Sequence, residues 1–282
     1  MADETFQFHS LADGLRIQAY RWIVPAPRGV VVIAHGAAEH ALRYDRFARV
    51  LNAEGFKVWA PDHRGHGRSP GPEGFGDFGA GGWDALVADL AQLITMAKQA
   101  HGQKPVVLFA HSMGAAAGQQ YAQEHSEDIA ALILSGSTAR ALPSDGEPPP
   151  LPPYNENFEP ARTPYDWLSR DPAEVDKYID DPRCGFETQS KPFPRASARR
   201  LADPDRLAAI RSDLPCLFVA GDEDPINYKL AGLRLLEQRW RDAGVQQIDT
   251  LYYAEGRHEM LNETNRDQVM TDIVSWLNAQ LA

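Results

Sequence analysis

Residues 105–125 read P-V-V-L-F-A-H-S-M-G-A-A-A-G-Q-Q-Y-A-Q-E-H, and the fold follows from how this string changes character at its middle. The short apolar, β-branched run predicts a buried strand, the alanine-rich segment predicts a helix, and only the turn holding Ser112 separates them. That turn must be sharp. Ala110 and Gly114, two residues away on either side, leave room for a strained backbone that lifts the serine hydroxyl off the end of the sheet. A serine before a helix is also an ordinary N-cap, so the weight falls on what the rest of the chain supplies. The usual pattern at such an elbow is G-x-S-x-G, and Ala110 stands in place of its first glycine.

Upstream, residues 5–8 and 15–22 flank a turn at Ala12, Asp13 and Gly14, and their pattern predicts an antiparallel start. Residues 30–34 form a continuous apolar run, which predicts a strand buried on both faces. A helix follows with Tyr44, Phe47, Ala48 and Leu51 on one side and Gly55 as its stop, then a strand at 56–60. From 83 to 100, Leu86, Leu90, Leu93 and Ala97 recur at steps of three and four, a strong helix signal. Downstream, strands at 129–134, 216–220 and 248–253 come before helices carrying Leu233, Leu236 and Trp240, then Val269, Ile273 and Leu277. The alternation predicts an α/β fold, a mostly parallel sheet covered by helices on both faces. Ligands bind such sheets at the carboxyl ends of the strands, where the turns carrying His35, His63 and Ser112 fall.

The alternation stops near residue 139. Residues 139–207 read as an insertion, leaving 1–138 and 208–282 as the core. The insertion opens with S-D-G-E-P-P-P-L-P-P-Y, which is turn- and polyproline-like. Asp171-Pro172 followed by Glu174 predicts an N-cap, a proline at the first helical position and a capping-box acid, and Asp203-Pro204 predicts a second short helix. Tyr154, Phe158, Tyr165, Trp167, Phe186 and Phe193 supply apolar surface for packing onto the core, with one or two of them expected at a substrate entrance.

A formal net charge of -11 and a pI near 5.3 argue against nucleic acid and anionic membrane surfaces as partners. With 43% hydrophobic and 24% charged residues the composition is that of a globular protein. The opening M-A-D-E-T-F-Q has acids where a signal peptide carries bases, and no apolar stretch approaches a membrane span, so a cytoplasmic location is expected. Cys184 and Cys216 are far apart and read as reduced thiols. Nothing in the sequence sets the oligomeric state.

A serine hydroxyl is a weak nucleophile at neutral pH and needs a base, which in turn needs an orienting group. The late strands end in G-D-E-D-P and A-E-G-R-H-E, so the chain offers Ser112, Asp224 and His258 in that order. Asp222 and Glu223 compete for the orienting role. Asp224 is preferred because Pro225 fixes its turn, while Asp222 is expected to bond locally. The oxyanion of acyl transfer needs donors, and this type of elbow offers the N–H after the serine, Met113, and one from an early loop, Ala37. His35, Glu39, His63 and His66 look like a metal cluster, but histidines on separate loops need no metal, so neither metal nor cofactor is expected. His258-Glu259 starts like H-E-x-x-H but meets Asn262, and G-F-G-D-F-G at 74–79 follows a loop instead of a strand.

Taken together, H-G-A-A-E-H, D-H-R-G-H-G-R-S, H-S-M-G, G-D-E-D-P and G-R-H-E-M-L-N-E resemble, in this order, the monoacylglycerol lipase and lysophospholipase branch of the α/β-hydrolase superfamily. The resemblance spans nearly all of the core. It implies an α/β-hydrolase fold with Ser112 as nucleophile, His258 as base and acid, Asp224 as orienter, and Ala37 and Met113 as backbone donors. It also implies that 139–207 is a cap that sets substrate choice. The expected function is hydrolysis of carboxylic esters, most naturally of lipids with one acyl chain, with no cofactor. A small-ester carboxylesterase, a thioesterase, an acyltransferase and a non-catalytic binding protein are the alternatives.

Overall fold

The first two strands of the computed structural model, β1 (Glu4–His9) and β2 (Arg16–Trp22), form the antiparallel pair expected from their sequence pattern. The structure describes residues 1–139, 154–188 and 195–281. β3 (Gly29–Ala34), β4 (Phe56–Pro61), β5 (Val106–His111), β6 (Ala131–Ser135), β7 (Cys216–Gly221) and β8 (Ile248–Tyr253) all run parallel. β2 joins them by antiparallel pairing with β4, giving one sheet in the order β1-β2-β4-β3-β5-β6-β7-β8. The reversal of direction between the β3–β4 and β3–β5 crossovers puts the ends of β3 and β5 side by side, which is where such sheets bind ligands.

The continuous apolar runs are explained by two cores. Val30, Val32 and Ala34 of β3 face one and Val31 and Ile33 face the other, so every position of the strand is buried. Helices α1 (Asp45–Ala53) and α8 (Arg266–Gln280) close one face through Phe47, Leu51, Ile273 and Leu277. Helices α2 (Gly82–His101), α3 (Met113–His125) and α7 (Ala231–Asp242) close the opposite one through Leu86, Leu90, Tyr121, Leu236 and Trp240. β6 starts two residues later than expected because Ser126–Asp128 forms a 3-10 turn, leaving Ile129 buried but outside the ladder. The glycine string at 74–79 lies in the loop before α2, next to a Gly71–Gly74 bridge.

Between β6 and β7 lie α4 (Pro172–Asp180), α5 (Arg195–Leu201) and α6 (Pro204–Ala208), the last ending one residue past the 139–207 bound expected for the insertion. Asp171 caps α4 through the Ala173 N–H, and Asp203 caps α6 through the Asp205 and Arg206 N–H groups, each with proline at the first helical position. The capping box does not close. Asp171 N–H donates to Ser169 Oγ, and Glu174 instead pairs with Arg46 of α1 at 2.7 Å and with Lys177 at 2.8 Å. A tertiary ion pair has taken the side chain that the local pattern assigned to the helix end. The proline run at 148–153 and Phe193 lie outside the described residues.

Candidate active site

Ser112 joins β5 to α3 with φ 54° and ψ -112°, a conformation that costs a non-glycine residue about 1–3 kcal/mol. Its neighbours hold it there. Ser112 N–H donates to Ser135 O at 2.9 Å, tying the turn to β6. A Cβ on Gly114 would meet Ala34 O at 2.3 Å, so only glycine lets α3 start against the end of β3. The methyl of Ala110 is accommodated across that helix: a Cβ on Gly118 would lie 3.0 Å from the Ala110 Cβ. The departure from G-x-S-x-G is therefore matched by a glycine in the second turn of α3, and the elbow keeps its form.

Three side chains from three strand ends meet at this turn. His258 Nε2 is 2.9 Å from Ser112 Oγ, and His258 Nδ1 is 2.9 Å from Asp224 Oδ2. A carboxylate only accepts, so Nδ1 carries the proton and Nε2 is free to take one from the serine. Asp224 is fully buried; its Oδ1 accepts from Ile226 N–H at 2.8 Å, and Asn227 Nδ2 donates to Oδ2 at 3.3 Å. Burial disfavours the charged form of His258, but the charge and hydrogen bond of Asp224 outweigh it and hold the imidazole above its ordinary value. Asp222 does not make the local bond expected of it. Its Oδ1 is buried without a hydrogen-bond partner among the described residues.

Ser112 opens onto two chambers. One of about 170 Å³ is bordered by Ala37, Met113, Ala116, Leu201, Ile226 and Leu236, among others. The other, about 530 Å³, is bordered by His258 and by Tyr154, Tyr165, Trp167, Tyr178 and Phe186 of the insertion. Ala37 and Met113 thus share the first chamber with Ser112, and Met113 is the first residue of α3, where the N–H has no intrahelical acceptor. Ser112 thus has a base at hydrogen-bond distance and the N-terminus of α3 beside it, an arrangement suited to acyl transfer.

Residues 25–265 match the family model described as serine aminopeptidase, S33. The chain is a member of this α/β-hydrolase family. The hydrolase is 33% identical to a monoacylglycerol lipase of Mycolicibacterium smegmatis over 301 aligned residues, covering all of both chains. It is 28% identical to the monoglyceride lipase of Rattus norvegicus over 271 residues, 91% of this chain and 84% of the relative. In structure it superposes on a thermostable carboxyl esterase from Bacillus coagulans with a TM-score of 0.86 at 25% identity, over the full length of both.

Sequence did not single out Arg43 and Tyr178 of the hydrolase, which help to frame the site. Arg43 donates to Glu39 Oε2 at 2.7 Å and forks onto both oxygens of Glu259 at 2.7 Å, linking the loop after β3 to the loop that bears His258. Tyr44 Oη–H and Asn262 Nδ2 complete the two carboxylates at 2.8 Å each. Burial pushes both carboxyls up, but the Arg43 charge prevails and keeps them below their usual range. Trp167 lies against the His258 ring at 5.1 Å, and Trp167 O and Leu168 O accept the N–H groups of His258 and Glu259. The insertion also reaches the other loop, where Tyr178 Oη–H and Gly185 N–H both donate to Ala38 O.

The histidines do not gather as a metal cluster with Glu39. The group that comes nearest to one, among the described residues, is His40, Asp181 and Cys184, with donor atoms within 4.8 Å of one another. Asp181 is already held in the Arg183 fork, and burial pushes the Cys184 thiol up to about 12. A saturated carboxylate and a protonated thiol form a poor cation site.

Proposed function

We propose that this protein is a serine hydrolase that cleaves carboxylic esters through an acyl-enzyme, acting on single-acyl-chain lipids of the monoacylglycerol and lysophospholipid kind. The observation that carries the reading is the relay from Ser112 through His258 to Asp224, with 2.9 Å at each step, on a strained elbow. The lipase and esterase names of its relatives support the ester as the bond cleaved.

Ser112 Oγ attacks the ester carbonyl carbon while its proton passes to His258 Nε2. The oxyanion forms toward the Ala37 and Met113 N–H groups. Collapse breaks the carbon–oxygen bond, and Nε2 gives its proton to the leaving alcohol. Water then repeats the sequence on the acyl-enzyme, releasing the acid and restoring the serine. His258 borders only the larger of the two chambers, so the alcohol is assigned to that side and the acyl chain to the smaller one, lined by Ala116, Leu201, Ile226 and Leu236. Residues 139–207 act as a cap that shapes both. Among the described residues no helix is long and apolar enough to cross a membrane, and Cys184 and Cys216 are unpaired, which suits a reducing cytoplasm.

The test is a series of p-nitrophenyl esters from acetyl to palmitoyl beside monoacylglycerols of matching length, with Ser112→Ala as blank. We expect a rate maximum at medium or long chains, good monoacylglycerol turnover, and fluorophosphonate labelling that disappears in the variant. Activity confined to the shortest esters would replace the lipid assignment with a small-ester hydrolase. Labelling that survives in Ser112→Ala would overturn the site itself. Added glycerol in the same assay separates hydrolysis from acyl transfer.

A further inference from the structure

We propose that His35 is a positioning residue for this reaction: its imidazole, fixed in the Nδ1–H tautomer, holds the Gly36 carbonyl back and so aims the Ala37 N–H at the oxyanion. The inference rests on the hydrolase reading above and adds a part to it.

His63 N–H donates to His35 Nε2 at 2.9 Å. A backbone N–H can only donate, so Nε2 is the bare nitrogen and the ring proton is on Nδ1. Nδ1 lies 2.7 Å from Gly36 O, which accepts it. That oxygen and the Ala37 N–H belong to one planar trans peptide, in which C=O and N–H point in opposite directions. Fixing the oxygen on the His35 side therefore fixes the direction of the N–H. Ala37 N–H itself is taken by no residue among the described ones.

The preceding peptide is fixed as well, since Gly36 N–H donates to Glu39 Oε1 at 2.5 Å. Both peptides that flank Gly36 are thus held by buried side chains. The approach to the nucleophile is close: a Cβ on Gly36 would come within 3.2 Å of Ser112 Cβ and 2.8 Å of Glu39 Oε1. The surroundings keep the tautomer. His35 is fully buried, its ring packed 4.4 Å from His63 and 5.3 Å from His66. Burial, with the His66 charge adding to it, holds His35 well below the ordinary histidine range, and a second ring proton would point at the His63 N–H. A histidine that only filled space would not need both nitrogens engaged by backbone, one of them on the donor's own peptide.

Two substitutions separate the roles of the two nitrogens. In His35→Asn the amide nitrogen takes the place of Nδ1 and keeps the bond to Gly36 O; in His35→Gln the amide oxygen reaches the place of Nε2 and keeps only the bond from His63. Each leaves one buried backbone group unpaired, so their melting temperatures should fall alike. We expect His35→Gln to lower kcat on p-nitrophenyl butyrate by about 10- to 100-fold with KM within about twofold, somewhat less than full loss of an oxyanion donor. Its affinity for an aryl boronic acid, which mimics the tetrahedral adduct, should fall in parallel. His35→Asn should stay within about fivefold of wild type. Equal kcat in the two variants, or a loss confined to KM, would overturn the positioning role. Nitrogen-15 spectra of the wild type give a reading that needs no variant to fold: an Nδ1–H signature for His35 from pH 5 to 9 is expected, and an Nε2–H signature sinks the proposal. A wild type inert toward both ester and fluorophosphonate would overturn the hydrolase reading and this one with it, whereas an active wild type with indifferent His35 variants overturns only this one.

Discussion

Two loops face Ser112 from opposite sides, and they are built on opposite plans. In the loop after β7 the proposed working part is a side chain, Asp224, and the backbone is its support: Ile226 N–H and the turn at Pro225 hold the carboxylate against His258. In the loop after β3 the proposed working part is backbone, the Ala37 N–H, and the side chains of His35, Glu39 and Arg43 are its support. The difference teaches where mutations should hurt. In the first loop the damage belongs to the residue that acts; in the second it belongs to its neighbours.

The largest expected effect is at Asp224. Asp224→Asn should lower kcat by about 10⁴-fold, since the amide presents the wrong partner to His258 Nδ1, while Asp222→Asn should stay within about threefold. The reverse ranking in steady-state kinetics would show that the acid is misassigned. His258 must be neutral to accept the serine proton, and Asp224 lifts its pKa. The acid limb of kcat/KM should therefore lie above the ordinary histidine value near 6.5, and in residual Asp224→Asn activity it should move to lower pH. A pH–rate profile with an unmoved limb would remove the electrostatic role of Asp224.

Next comes Arg43→Met, which leaves Glu39 and Glu259 buried without their shared cation. Such a break costs about 3–5 kcal/mol, or roughly 10 °C of melting temperature in a chain of this size. Turnover should fall about tenfold at temperatures where the protein stays folded. A change in melting temperature with full activity would mean that the clamp supports the fold and not the two loops. The smallest effect belongs to the acting residue of the backbone loop. Ala37→Ser should remain within about twofold of wild type, because the donor it supplies is an N–H that every residue but proline has. A hundredfold loss there would mean that the side chain, and not the peptide, is what that position supplies.

The parts of this arrangement that sequence made legible are those whose meaning is local. Residues 30–34 and 106–110 are apolar at every position because helices cover both faces, and Ser112 and Asp224 are conspicuous because each follows a strand buried throughout, while His258 follows the edge strand β8. What escaped is long-range. Glu259 meets Arg43 across 216 residues of chain, and nothing near either one distinguishes a buried fork from a solvated charge. Glu174 shows the same limit from the other direction, its place in a local motif overruled by Arg46 of α1. The His35 tautomer depends on a backbone N–H 28 residues away, in a loop whose path only the folded sheet determines.

Ala110 and Gly118 also give the elbow a history that runs more easily one way than the other. The methyl group occupies the strand side of the β5–α3 contact, and the helix side is bare. A chain exchanging this arrangement for a glycine at 110 and an alanine at 118 must change one position first. If 118 gains its methyl first, two Cβ atoms stand 3.0 Å apart with Leu134 only 3.3 Å from the newcomer, an overpacked intermediate. If 110 loses its methyl first, the intermediate has only a small void. The less crowded order of substitutions is thus set by one packing contact, and it runs through glycine at both positions.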